Sequence, residues 1–395
     1  MMTAYTDSSI QIIKQTPSFP SNLEPFTQAA AREALRFHRS IPEYRETDLV
    51  SLPNTAMIHH VGGIFVKDES TRFGLKAFKG LGGSYSMFRI LCEKLSLDHR
   101  TADYNTFLNE DIRSQCQKIE FVTATDGNHG KGVSWAAKLF GCRAHVLMPK
   151  GTVEARRSAI EEAGAAEAEI SDLNYDQTVQ LAAALAEKNG WILIQDTAWD
   201  GYETIPTWII QGYLTMLEET FEQMSGLIPT HVFLQAGVGA MAGGLTAYLM
   251  NRFQENRPAV AIVEPKAADC VFQSVSAGDG NAHSLIGDPV TIMAGLNCGT
   301  PCKVVWPFLR GCPTFFCACD DTVTESGMRA YAHPAGNDPV VVSGESGAVT
   351  YGLLLEILSS DELRNLFEIC SDSVILLVNT EGATDPIGYK RVIQG

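Results

Sequence analysis

The chain is predicted to be an α/β protein with two doubly wound, mostly parallel sheets. Three observations carry that expectation. Apolar runs of strand length alternate with stretches of helical spacing, and the turns after the apolar runs are rich in Gly, Asp, Asn and Thr. The 395 residues, 45% of them apolar, suffice for two or three domains. Apolar strands separated by helices favour parallel pairing, and open parallel sheets bind ligands at the carboxyl ends of their strands.

Taken in order, residues 1 to about 60 read as an arm with one helix, Phe26–Phe37, behind Pro25 at a favoured early position. His59 and His60 lie in a loop-like stretch with no third ligand nearby, so a surface or hydrogen-bonded role is expected. Strands are expected at Gly63–Lys67, Ile119–Thr123, Arg143–Met148, Trp191–Gln195, His231–Gln235, Ala259–Glu264 and Val374–Val378. Helices are expected from Met87 to about Asp111, then at Lys131–Phe140, Thr152–Ala163, Asp176–Lys188, Ile205–Glu222, Leu245–Phe253 and within Ser343–Leu358. Gly141 and Gly164 close two of them.

Composition removes several function classes. The net charge is −16 with no dense Lys/Arg cluster, which disfavours nucleic acid and anionic membranes as partners. The first residues lack a basic and then apolar leader, and no apolar run approaches the roughly 18 residues of a membrane span, so a soluble, cytoplasmic protein is expected. Ten cysteines are scattered, and the one dense cluster, Cys312 to Cys319, lacks the paired ligands of a zinc site. Reduced, buried thiols are the expectation, with Cys270 and Cys298 noted as a candidate redox pair.

Three turns carry chemistry. In Ser70–Gly80, Lys79 stands between Phe78 and Gly80 at the mouth of a helix. Desolvation and the positive end of the helix dipole ease deprotonation of an amine there, which is what a Schiff-base lysine needs. The other reading is one more solvated charge among 30 Lys and Arg. In Thr125-Asp126-Gly127-Asn128-His129-Gly130, amides between two glycines are available to a carboxylate, and Asp126 either faces Lys79 or caps the following helix. The run from Gly237 to Gly244 joins a strand to a helix and forms a phosphate cradle. Gly237, Gly239 and Ala242 with Glu264 also fit the dinucleotide fingerprint, and this segment alone does not choose between a nicotinamide cofactor and a phosphorylated coenzyme.

Lys79 behind Ala77-Phe78, the Asp-Gly-Asn-His-Gly turn and the downstream glycine loop, in that order, resemble the fold type II pyridoxal-phosphate enzymes. That family includes serine and threonine dehydratases and the tryptophan synthase β chain, and the resemblance runs from about residue 60 to 386. It implies pyridoxal 5′-phosphate in the cleft between two doubly wound domains. Residues 1–94 and 201–395 would form the large one, and residues 95–200 a small mobile one carrying the Thr-Asp-Gly-Asn-His-Gly loop. It implies that Lys79 forms the Schiff base and that Gly237, Val238, Gly239, Ala240 and Met241 bind the phosphate. Asn128 would bond the 3′ oxygen, and the Thr125–His129 turn would hold the substrate carboxylate. Thr380 matches the position of the hydroxyl or thiol on the pyridine nitrogen, a neutral partner that favours β-elimination.

Two departures refine the expectation. Dehydratases of the family usually have serine where this chain has Asp126, and a second carboxylate, Asp196, heads the turn containing Trp199. With Asn-Thr-Glu-Gly-Ala-Thr-Asp-Pro near the end, the pattern resembles the branch that removes ammonia from 2,3-diaminopropionate. The implied activity is a carbon–nitrogen lyase of amino-acid catabolism, acting on both isomers to give pyruvate and two ammonia. Lys79 would take the α-proton of the L isomer and Asp126 that of the D isomer, while Asp196 binds the β-ammonium or serves only as a structural cap. A serine/threonine-type dehydratase is the alternative within the family. An NAD-dependent dehydrogenase using Gly237 to Glu264, and a cofactor-free binding protein, are the alternatives outside it. A small amino-acid substrate is the expected partner; a homodimer is implied by the resemblance, and no metal is expected.

Overall fold

The computed structural model describes residues 3–395 except Ser21, Asp126 and Asp288, and without the side chain of Asp176. Among the described residues the strands are β1 (Thr3–Thr6), β2 (Ile10–Lys14), β3 (Leu49–Ser51), β4 (Gly63–Asp68), β5 (Glu120–Ala124), β6 (Arg143–Met148), β7 (Glu167–Ile170), β8 (Ile192–Leu193), β9 (His231–Gln235), β10 (Ala259–Pro265), β11 (Phe315–Cys319) and β12 (Val374–Asn379). Two units divide the chain, one of Met1–Gln28, Glu46–Thr71 and Met216–Gly395, the other of Ala29–Arg45 and Arg72–Thr215.

The first unit holds an eight-stranded sheet in the order β1-β2-β11-β10-β9-β12-β4-β3. Its five inner strands, β11, β10, β9, β12 and β4, are parallel, while β2 and β3 flank them antiparallel. Inner strands covered on both faces must be apolar throughout, and β9 and β11 are buried at every residue. Cys317 and Cys319 are core residues of β11, so the cysteine cluster is a packing feature. None of the ten cysteines is in a disulfide. The register sets Val263 beside Gln235 and Asp68 beside Asn379, which places the ends of β9, β10, β12 and β4 along one edge.

The second unit holds a four-stranded, all-parallel sheet in the order β7-β6-β5-β8. Around it, the helix Lys79–Lys94 packs against the helices Asn128–Phe140 and Thr204–Tyr213. That packing draws the unit borders at 72 and 215, whereas the sequence sets them at 95 and 200.

Several elements depart from expectation for local reasons. The helices expected from Met87, Lys131 and Leu245 begin at Lys79, Asn128 and Ala240. Glycine weakens a helix interior, but the first turn tolerates it because its N–H groups need no intrahelical partner. The stretch after Lys94 is a 3₁₀ turn, Tyr104–Leu108, and a helix, Glu110–Cys116. The helix expected over Ile205–Glu222 is two, Thr204–Tyr213 and Thr215–Gln223. The β1–β2 hairpin, β7, β11 and the helix Asp321–Ala332 are additions to the expected elements.

Candidate active site

Lys79 is the first residue of its helix, preceded by Phe78 with no side-chain cap. A cation at the positive end of a helix is disfavoured, and the structure offsets this with a carboxylate. Lys79 Nζ lies 2.6 Å from Asp196 Oδ2, with the two side chains 20% and 13% exposed. The amine also lies over the rings of Phe78 and Tyr213, at 5.2 and 5.8 Å.

Asp196 is positioned by its neighbour. Beyond β8 the chain leaves the sheet, and the Gln195 amide takes over its pairing with β5. Its Oε1 accepts from the Ala124 N–H at 3.1 Å, and its Nε2 donates to the Ala124 carbonyl at 3.0 Å. Tyr202 Oη accepts from the Gln195 N–H at 2.8 Å and donates to the Leu193 carbonyl. On the other side of Asp196, His129 Nε2 donates to the Ile194 carbonyl at 3.0 Å, leaving Nδ1 3.7 Å from the carboxylate. Burial pushes the Asp196 carboxyl up, but the charges of His129 and Lys79 and the Lys79 hydrogen bond outweigh it and hold the group well below the usual carboxylate range. Asp196 is therefore an anion.

The turn before the helix Asn128–Phe140 is closed by Thr125, whose Oγ1 accepts from the N–H groups of Gly127 and Gly130. Asn128 opens that helix and is half-buried, while His129 is buried behind it. Asp126 lies outside the described residues. The Lys79 backbone lies close to the helix Asn128–Phe140 because Gly132 has no side chain. A Cβ there would sit 2.9 Å from the Lys79 carbonyl carbon and oxygen.

The remaining candidates belong to the first unit. Gly237 and Val238 follow β9, and Gly239, at φ +79°, caps the helix Ala240–Phe253 from the left-handed region. Ala240 and Met241 are its first two residues. No side chain caps this helix and its first turn carries no acidic residue, so the first amides suit an anion such as a phosphate. The loop is braced from outside: Cys302 N–H donates to the Val238 carbonyl at 2.7 Å, and Cys270 Sγ donates to the Gly237 carbonyl at 3.6 Å. Thr380, just past β12, is 4% exposed, and its Oγ1 accepts from Gln235 Nε2 at 2.9 Å.

Glu264 is fully buried and accepts from the Val271 and Phe272 N–H groups at 2.8 and 2.7 Å. Burial pushes its carboxyl well up. A carboxylate spent on helix amides is not available to a ribose, which overturns the dehydrogenase alternative. Sequence reasoning missed Gln195 and Gln235. Each is the polar residue that closes an apolar run directly before a site turn, and that placement was the available signal. Among the described residues no cluster of His, Cys, Asp or Glu is suited to a metal ion, and no helix is long and apolar enough to cross a membrane.

Comparison with known proteins agrees with this chemistry. The model of the family described as "Pyridoxal-phosphate dependent enzyme" matches residues 41–380. Diaminopropionate ammonia-lyase of Escherichia coli (strain K12) is 46% identical over 373 residues, 93% of this chain and 92% of that protein. The crystal structure of the holo form of that enzyme from Escherichia coli superposes with a TM-score of 0.91 at 44% identity, covering 99% of this chain and 98% of the other. Its complex with D-serine superposes with a TM-score of 0.89 at 42% identity, covering 99% and 97%. The protein thus belongs to the pyridoxal-phosphate-dependent enzyme family, alongside the diaminopropionate ammonia-lyases.

Proposed function

We propose that the chain is a pyridoxal 5′-phosphate-dependent carbon–nitrogen lyase. In this reading it eliminates ammonia from 2,3-diaminopropionate, both D and L, and yields pyruvate and two ammonia. The observation that carries it is the Asp196 carboxyl group at the Lys79 amine, Oδ2 2.6 Å from Nζ. A substrate with a β-ammonium group calls for an anion at that place, whereas a hydroxyl leaving group does not. The D-serine complex of the Escherichia coli enzyme supports access for D substrates.

The bound cofactor supplies an electron sink for the bonds broken at the α- and β-carbons. The protein's part is to hold, orient and move protons. Lys79 Nζ holds the cofactor and, once released, takes the α-proton of the L isomer. Asp126 takes the α-proton of the D isomer. Asp196 draws the β-ammonium by charge, and the Gln195 pairing and His129 keep its carboxylate in place. The amides of Gly237, Val238, Gly239, Ala240 and Met241 receive the phosphate, supported by the uncapped helix behind them. Asn128 serves the 3′ oxygen and Thr380 the pyridine nitrogen. The protein works in the cytoplasm as a homodimer, and size-exclusion chromatography with light scattering checks the dimer.

Ammonia and pyruvate are measured with both diaminopropionate isomers and with serine and threonine. Two ammonia per pyruvate from both isomers, at kcat/KM above serine, is expected. Faster turnover of serine or threonine overturns the reading in favour of a dehydratase.

A further inference from the structure

The backbone that leads into Lys79 is strained. Phe73, at φ +50°, and Lys76, at φ +61°, both occupy the left-handed region, with Gly74 at +71° between them. Residues with a Cβ rarely adopt that region, and such backbone persists only where its surroundings impose it. Here one face of the helix Asn128–Phe140 imposes it. Lys131 Nζ donates to the Leu75 carbonyl at 2.9 Å. Trp135, one turn on, stacks against the Phe73 ring with centroids 4.3 Å apart. Gly132, on the same helix, is where it meets the Lys79 backbone. A lysine ordinarily keeps its ammonium in water. Lys131 instead carries it to a carbonyl although burial, and next the Lys76 cation, push its pKa down.

We propose that Lys131 is a positioning residue for Lys79: by holding the Leu75 carbonyl it keeps the left-handed turn at Lys76 from relaxing, and so sets where Lys79 enters its helix. The proposal rests on the reading of Lys79 as the cofactor lysine. Only Ala77 and Phe78 separate Lys76 from Lys79, so a rotation of the backbone at Lys76 is carried to the catalytic amine. The helix that carries Lys131 begins at the Thr125–Gly130 turn. One element therefore sets both the substrate turn and the lysine that works opposite it.

The test combines substitutions at Lys131 and Lys76. It is read by the Kd of pyridoxal 5′-phosphate for the resolved enzyme and by kcat on diaminopropionate. Lys131→Met keeps the apolar stem and removes the donor, whereas Lys131→Arg keeps a donor. Lys76→Gly accepts a positive φ without strain, whereas Lys76→Met removes the same charge and keeps the Cβ. Lys131→Met is expected to raise the Kd roughly two- to tenfold, because fewer chains hold the binding-competent turn. Its kcat should fall on the order of tenfold, as a displaced lysine predicts. Lys131→Arg should stay near wild type in both. Adding Lys76→Gly to Lys131→Met should restore both readings, and adding Lys76→Met should restore neither. A lysine that only adds stability would lower the urea midpoint and leave Kd and kcat unmoved. That result, or equal recovery with Lys76→Met, overturns the proposal. Lys131→Leu is read the same way and covers a folding failure of Lys131→Met. Lys79→Ala separates the two readings: coenzyme that borohydride still fixes to this variant's site sinks the Lys79 reading and the proposal with it. Coenzyme lost from Lys79→Ala beside an unaffected Lys131→Met sinks the proposal alone.

Discussion

Lys79 and Asp196 form one ion pair, and each makes the other's place in the fold tenable. The lysine would be a cation on the positive end of a helix, and the aspartate a buried anion, if either stood alone. This fixes a pH dependence. The folded Asp196 carboxyl titrates below its unfolded value, so its ionised form stabilises the native state above about pH 3.9, and that contribution is lost as pH falls through the lower folded value. Asp196→Asn should therefore lower stability near pH 7 while the gap to wild type narrows below about pH 4, as read by urea unfolding across pH; a constant gap would contradict the assignment. Asp126→Asn addresses the stereochemistry: kcat/KM should fall on the D isomer by at least about tenfold more than on the L isomer, in keeping with the loss of one general base. Equal losses would remove the two-base reading. Sequence alone singles out Lys79 and Asp196, which the structure pairs, because a lysine at a glycine-rich helix mouth and a carboxylate heading a turn after a strand are chemical signals. It does not reveal Gln195 and Gln235, whose amides complete pairings between strands far apart in the chain.

At the level of elements, the site turns are the first turns of helices. Lys79, Asn128 and Ala240 each open one, and the glycines around them make these starts hard to read as helix. Periodic apolar spacing shows where a helix is buried, whereas a first turn directed at a ligand has little of it. The strand β11 was hidden for a different reason: its sequence Phe-Phe-Cys-Ala-Cys draws attention to thiol chemistry, while its residues only pack. The contact of two helix starts at Gly132 is a close joint of the second unit. Gly132→Ala puts a methyl 2.9 Å from the Lys79 carbonyl. Overpacking of this kind costs about 1–3 kcal/mol. Because Lys79 must move with its backbone, kcat/KM should drop on the order of 100-fold. Thermal melting together with steady-state kinetics checks both parts, and an unaffected kcat/KM would show that the joint does not set the lysine.

At the scale of the whole molecule, the alternation of strands and helices was legible and the sheet edges were not. Inner strands are long apolar runs, but β1, β3 and β7 are short, partly exposed, and recognisable only by what they pair with. The first unit also buries charge. Lys67 and Glu219 pair at 2.7 Å with both side chains fully covered, and Lys67 donates as well to the Thr47 carbonyl. Glu219→Ala deprives a buried ammonium of its counter-charge and should cost about 3–5 kcal/mol, measured by chemical denaturation. A loss under about 1 kcal/mol would mean that water reaches the lysine. The placement of β4 has a consequence for biogenesis. Its Asp68 is in register with Asn379 of β12, 311 residues downstream, and β2 pairs with β11 across almost as long a span. The second unit has every strand of its sheet by Leu193, so on a ribosome it is able to fold while half the chain is still unmade. The first unit must instead keep β2 and β4 waiting for their downstream partners, exposed to chaperones, until the last strand leaves the exit tunnel.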